Sequence, residues 1–416
     1  MVSKIILAVN AGSSSVKASV FKGVQNSKPK LLGEAQVSGL TAPPASASFM
    51  EGGEKKDLDC PKISSQDEAF AYILKVLTES KELSEINTTS DINVVTHRIV
   101  HGGDYAAPEV IGMSTFRRLE ELTELAPLHN GPALSIVRSC AKQLPTATNV
   151  ACFDSQFHST LPEHVRTYPI DLKVAGKNQL RKYGFHGLSY SFIVRSVAAH
   201  LSKPSEDVNI IALHLGSGAS ACAIRGGHSV DTSMGLTPLA GLPGATRSGS
   251  VDPSLVFHYA SNVGRLAPQA TQELHISRAE EILNKEAGWK ALTGTTDFGR
   301  IAASESAECK LAFAMFVDRI AGFVGSYFVA LGGEVDALVF AGGIGERSAK
   351  LRKAVGNAVE CLGFEIDNTR NEGVKGVAGG EVVSVGRDTA RKGLLVCGTD
   401  EQQEMATLCA EMEELW

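Results

Sequence analysis

The sequence predicts an α/β protein made of two related domains, and three observations carry that expectation. Residues 5–21, IILAVNAGSSSVKASVF, and residues 210–224, IIALHLGSGASACAI, share one grammar: an apolar strand, a small-residue turn and an alternating strand. The chain's 416 residues exceed what one hydrophobic core organises. Residues 336–346, DALVFAGGIGE, add a buried strand that runs into a glycine-rich turn before a helix. An ordinary tight hairpin accounts for either of the first two stretches alone. Two copies roughly half a chain apart point instead to a duplicated domain whose two hairpins face each other and hold a polyphosphate.

Taken in order, Gly12 lets the backbone approach a bulky anion, Ser13 and Ser15 add hydroxyl donors, and Lys17 supplies a point charge. Gly216, Ser217 and Gly218 repeat the theme in the second hairpin. Residues 22–58, with Pro43-Pro44 and Gly52-Gly53, read as loop or irregular strand. Residues 65–79 have helical apolar spacing and an acidic first turn, and residues 92–100 form a buried strand ending at His101-Gly102-Gly103. Residues 114–126 and 132–142 look helical on either side of an ordered turn, PLHNGP at 127–132. A short buried strand at 149–153 closes a first domain of residues 1–153, completed by a helix at about 400–416 with a mostly acidic outer face. The second domain spans 154–399, with a helix at 188–201 and a long Gly/Pro/Ser/Thr loop at 231–253 of the kind retained for function.

Composition narrows the classes. Hydrophobic content of 43% and charged content of 21% are ordinary for a globular protein. A net charge of −6 without a basic block argues against nucleic acid or a membrane surface as partner. The apolar run 311–331 carries Asp318 and Arg319 near its middle, so it reads as a core helix and not a membrane span. Eight cysteines show no CxxC pair and read as buried free thiols. With no signal or transit pattern before the first strand, the expected compartment is the cytoplasm. Neither GxGxxG nor GxxxxGK[ST] is present, which sets aside dinucleotide folds and P-loop kinases.

Arg98, before HGG, and Arg247, within GATRSGS, sit in small-residue loops suited to a phosphoryl clamp. Phosphoryl transfer needs positive charge on the equatorial oxygens, a cation on the leaving diphosphate, and alignment. Asp154 follows a buried strand and Glu401 opens the last helix; both are candidate carboxylates for Mg²⁺, although Glu401 equally suits a helix's first turn. His129 and His186, set between glycine or proline turns, can donate to a carbonyl or phosphoryl oxygen. His97 and His101 lie i, i+4 on a strand, where they do not converge as on a helix, and are set aside as metal ligands.

The stretches VNAGSSSVK (9–17), HRIVHGG (97–103), PLHNGP (127–132), FDSQFH (153–158), YGFHGLSY (183–190), HLGSGAS (214–220), DTSMGLTPLAGLPGATRSGSVDP (231–253), FAGGIGE (340–346) and TDE (399–401) together resemble the acetate kinase family, in its order and over nearly the whole chain. HGLSY and the region around 260–310 are closer to its fungal members. The resemblance implies the duplicated, ribonuclease H-like fold of actin, sugar kinases and heat-shock chaperones, with a nucleotide cleft between its domains. It implies reversible transfer between ATP and acetate, giving ADP and acetyl phosphate, with Mg²⁺ or Mn²⁺, by a homodimer joined through the second domain.

Carried over by position, Asn10 stands near the metal, and Ser13, Ser15 and Lys17 form the first phosphate loop. Arg98 and Arg247 bind the acyl phosphate and the phosphoryl in flight; His186 stabilises the transition state, His129 supports it, and Asp154 and Glu401 organise Mg²⁺. Val100, Leu128, Phe185 and Pro238 enclose the acetate methyl. His214, Gly216, Ser217 and Gly218 form the second phosphate loop, and Asp297, Phe298, Arg300, Gly342, Gly343, Ile344 and Gly345 the adenosine site. Departures cluster on the nucleotide side: Ser217 and Arg347 replace the usual asparagines, and Pro243-Gly244-Ala245 and Ser250 differ around Arg247. They keep pyrophosphate open as a donor, and propionate or butyrate stay open as acceptors.

Overall fold

The computed structural model describes residues 2–12, 14–40, 44–52, 54–60, 62–81, 83–123, 127–259, 266–267 and 276–416, without the side chains at 51 and 127–129. The chain divides into two compact units, Met1–Gln156 with Glu401–Trp416, and Phe157–Asp400. Asp154, expected just beyond the first junction, therefore lies in the first unit.

In the first unit, strands β1 (Ser3–Ala11), β2 (Ser15–Val24), β3 (Lys30–Ser38), β4 (Ser46–Glu51), β5 (Glu54–Leu58), β6 (Val94–Ile99), β7 (Glu109–Val110) and β8 (Thr148–Phe153) form one sheet in the order β5-β4-β3-β2-β1-β6-β8-β7. The first five make an antiparallel meander, and β6 and β8 add parallel strands. Ile5, Leu7 and Val9 of β1 alternate onto a core with Phe70, Ile73 and Leu77 of the helix Gln66–Glu79. Each such side chain contributes roughly 1.5–3 kcal/mol by leaving water. That helix begins with a reciprocal cap: Ser65 Oγ accepts from the Glu68 N–H and Glu68 Oε2 from the Ser65 N–H, each at 3.2 Å.

Three expectations change here. Residues 22–58, read as loop or irregular strand, contain three further strands; β3 buries alternate residues, and β5 is an edge strand, charged and exposed except for Leu58 at its end. The PLHNGP turn is instead the opening of the helix Pro127–Gln143, a tolerated place for Pro127 because the first N–H groups of a helix are unpaired anyway. The terminal helix Glu401–Glu411 is largely buried, through Gln402, Gln403, Glu404, Met405, Ala406, Cys409 and Ala410, and its acidic exposed part is confined to the end.

The second unit repeats the plan. Strands β9 (Ile210–Leu215), β10 (Ala219–Arg225), β11 (His228–Thr232), β12 (Ala337–Ala341), β13 (Val382–Ser384) and β14 (Gly393–Cys397) run in the order β11-β10-β9-β12-β14-β13. An antiparallel β11-β10-β9 meander followed by parallel β12 and β14 reproduces β3-β2-β1-β6-β8 strand for strand. The fold is thus a duplicated α/β fold of the actin type. The helix Ala307–Ala330 covers one face through Phe316, Ile320, Val324 and Tyr327. It is the single helix among the described residues long and apolar enough to cross a membrane, and its buried side places it in this core. Cys60 is half-buried and Cys361 exposed; the other six cysteines are buried, and all eight are free thiols.

Candidate active site

Parallel pairing sets Arg98 beside Cys152 in register, so β6 and β8 deliver Arg98 and Asp154 to the same edge of the first sheet. The Asp154 carboxylate, 1% exposed, accepts from Arg98 Nε at 2.9 Å and Nη2 at 2.7 Å. Glu401, from the terminal helix, pairs with the remaining Nη1 at 3.0 Å. Burial alone would lower the pKa of this guanidinium; the charges of Asp154 and Glu401 reverse that and hold it above the ordinary arginine value. Both acids expected at a metal are therefore engaged with Arg98. Their oxygens form an oxygen-only donor set that suits a hard, hydrated cation such as Mg²⁺.

The neighbouring loop is pinned by a residue the sequence reading passed over. Buried Asn130 accepts from the His101 N–H at 3.0 Å and donates to the His101 carbonyl at 2.9 Å. His97 is buried against Asn149 at 2.9 Å, and burial pushes its pKa down to about 4, so it stays neutral. No group of three metal-ligating side chains exists among the described residues.

At the first hairpin the turn closes through a Gly12 N–H to Ser15 carbonyl bond of 2.9 Å. Lys17 is paired with Glu34 at 2.8 Å and must exchange that partner to meet a phosphate. Asn10 and Ser15 are half-buried at the strand ends, as is Val100 just beyond β6. Ser13 lies outside the described residues, and Leu128 and His129 are described in backbone only, within the helix Pro127–Gln143.

In the second unit the Gly216-Ser217-Gly218 turn is closed by a 2.9 Å backbone bond and tied to the long loop by an Ala245 N–H to Ser217 carbonyl bond of 2.8 Å. A Cβ on Gly218 would stand 3.1 Å from Arg247 Nη1, so glycine is what lets that guanidinium lie against the turn. Arg247 Nη1 also donates to the Pro238 carbonyl at 3.4 Å. His186 caps the helix Gly187–Leu201 from a left-handed conformation, φ 59°, a strain that recurs at functional positions. Its ring stacks on His214 with centroids 4.2 Å apart. Phe185 and Pro238 are buried.

A cavity of about 680 Å³, the size of a ligand site, opens beside this turn, lined by Gly216, Ser217, Phe298, Gly343, Ile344 and Arg347 among others. Asp297 also lines it and caps the helix Phe298–Ala303. Gly342 has φ +74°, and a Cβ there would meet the Leu215 carbonyl at 2.8 Å; the close passage of this turn over β9 requires glycine. Gly345 packs beneath, and its carbonyl is taken by Arg352 at 2.9 Å. Arg300 stands apart, 81% exposed and 3.6 Å from Asp297, outside the lining. Arg352, invisible as a site residue from sequence, is fully buried and also donates to the Glu346, Asn371 and Val374 carbonyls.

Comparison with known proteins identifies the family. A model of the acetokinase family matches residues 5–407. A probable acetate kinase of Chaetomium globosum is 57% identical over 454 aligned residues, covering 99% of each chain. The crystal structure of Porphyromonas gingivalis acetate kinase has a TM-score of 0.82 at 32% identity, covering 97% of this chain and 98% of that one. A propionate kinase from Francisella tularensis has a TM-score of 0.84 at 31% identity over the same shares. The chain belongs to the acetokinase family.

Proposed function

We propose that this protein is an acetate kinase, catalysing ATP + acetate = ADP + acetyl phosphate. The observation that carries the reading is Arg98, a guanidinium fixed on three nitrogens by Asp154 and Glu401 and so preorganised for an anion. Acetate is ionised at neutral pH, so no general base is needed. A carboxylate oxygen attacks the γ-phosphorus, the new O–P bond forms as the bond to the β-phosphate oxygen breaks, and ADP leaves with the electron pair. Arg98, Arg247 and the His186 side chain neutralise the equatorial oxygens. Asp154, Glu401 and Asn10 would hold Mg²⁺, which neutralises charge on the diphosphate when bound. The 680 Å³ cavity is the proposed adenosine site.

The test is ATP formation from acetyl phosphate and ADP with Mg²⁺, with orthophosphate replacing ADP in parallel. ATP is expected. Pyrophosphate without ATP would assign the chain a different donor, and neither product from folded protein would overturn the reading. Because one similar structure is that of a propionate kinase, acids of increasing length belong in the forward assay. Activity is expected to fall from acetate to propionate to butyrate. A rate at least as high with propionate would move the acceptor assignment.

We also propose that the protein is a cytoplasmic homodimer joined through the helix Ala307–Ala330. Its outer side leaves Leu311 60% and Val329 77% exposed, and the buried free thiols suit a reducing compartment. A Leu311→Asp/Val329→Asp variant is expected to sediment as a monomer where the wild type sediments as a dimer. An unchanged sedimentation coefficient would exclude this face.

A further inference from the structure

The last two residues of YGFHGLSY have no part in the chemistry above, yet both reach a histidine. Ser189 Oγ lies 2.7 Å from His214 Nδ1. Tyr190, fully buried, places its hydroxyl on Ser220 Oγ at 2.5 Å, and Ser220 Oγ lies 2.8 Å from His186 Nδ1. Both Nδ1 atoms are thus tied back, and the opposite ring atoms face the turn. A Cβ built on Gly218 would stand 3.6 Å from His186 Nε2, and one built on Gly216 4.0 Å from His214 Nε2.

The donor inventory orders the protons in this chain. Tyr190 Oη already receives the backbone N–H of His214. Its own proton then has one acceptor among the described residues, Ser220 Oγ. The Ser220 proton in turn has one acceptor left, His186 Nδ1. An imidazole that accepts at Nδ1 carries its hydrogen on Nε2. The opposite order, Nδ1–H donating to Ser220, pushes the Ser220 proton onto Tyr190 and leaves the Tyr190 proton without an acceptor in a closed core. A buried donor left unmade is costly.

We propose that Tyr190 and Ser220 are positioning residues that lock His186 as the Nε2–H tautomer, so that it presents a donor to the phosphoryl oxygens at the Gly216–Gly218 turn. The inference rests on the acetate kinase reading for its purpose, but the proton order itself does not. It gives the serine of β10 a purpose behind the histidine that opens the helix Gly187–Leu201: the ring held on a left-handed backbone is fixed from behind.

The test is long-range proton–nitrogen correlation NMR on histidine-labelled protein, with the His186 signals assigned by their loss in His186→Asn. In the resting wild type, His186 is expected with its hydrogen on Nε2. In Ser220→Ala and Tyr190→Phe the tautomers should mix, and kcat should fall roughly 10-fold or more, the effect of losing an outer partner of a working histidine, with KM for acetate and ATP nearly unchanged. Ser220→Thr, which keeps the hydroxyl, should restore both signals and kcat. Nδ1–H in the wild type would overturn the proposal, as would an unchanged tautomer with unchanged kcat in Ser220→Ala. The wild-type spectrum needs only a folded His186→Asn protein for its assignment and no turnover, so it stands or falls apart from whether ATP is formed.

Discussion

Arg98→Ala is expected to lower kcat/KM by roughly 10²–10³, the loss seen when one preorganised donor to a developing charge is removed. The variant should also lose stability, because Asp154 is 1% exposed and would keep a charge with no cation on it. Breaking one side of a buried pair costs about 3–5 kcal/mol. The two effects separate in Arg98→Ala/Asp154→Ala, which removes the stranded carboxylate: melting temperature should recover in part while turnover stays low. Steady-state kinetics and thermal unfolding on the same samples read both. Folded Arg98→Ala with near-wild-type turnover would sink the role given to this guanidinium.

Arg352→Leu should be the most destabilising single change outside the site. Arg352 is 0% exposed and faces no carboxylate; its donors go to Asn371 Oδ1 at 2.7 Å and to the carbonyls of Gly345, Glu346, Asn371 and Val374. Burial draws its pKa down to about 10, which still leaves it protonated at neutral pH. A leucine would strand four acceptors in the core, each costing about 1–3 kcal/mol, while the Asn371 carbonyl keeps the Val374 N–H. With relaxation, a net loss of about 4 kcal/mol or more is expected in urea unfolding, which marks the exceptional end of single substitutions. Because two of those carbonyls end the short helix Gly342–Arg347, KM for ATP should rise in whatever protein remains folded. Arg352→Lys should not rescue, since one ammonium cannot span the positions a guanidinium fork reaches. A stability change under about 1 kcal/mol would show that the core supplies those carbonyls with other donors.

How much of this was legible in the sequence follows from where each signal resides. The paired hairpins were legible because a strand, a glycine turn and a strand are adjacent in the chain, and their duplication showed in residues 5–21 and 210–224. The strand Glu54–Leu58 was hidden because EKKDL, paired on one side only, buries little beyond Leu58, which removes the alternation that marks a strand. PLHNGP looked like a turn since proline and glycine punctuate loops, but a helix accepts Pro127 at its first position, and this one continues through Gly131 and Pro132. Arg352 sits in AKLRKAVGNA, where a basic residue reads as a solvated helix face; only the fold shows that its partners are carbonyls far along the chain. Ser220 and Tyr190 are lone hydroxyl residues on a strand and a helix, and their link to His186 appears only when β10 and the helix Gly187–Leu201 are assembled.

The terminal helix has a consequence for how the molecule comes into being. Glu401 to Trp416 belong to the first unit, yet all of Phe157–Asp400 is translated before them. As the nascent chain leaves the ribosome, the first unit can gather its sheet and clasp Arg98 with Asp154, but it must wait with one flank open for Gln402 to reach the Ala8 carbonyl at 2.9 Å and for Glu401 to reach Arg98. The guanidinium proposed to bind the phosphoryl group is therefore completed by a stretch made after the whole second unit. A chain that stalls or is clipped before residue 401 lacks both the Glu401 contact to Arg98 and the Gln402 contact to Ala8 that complete the first unit.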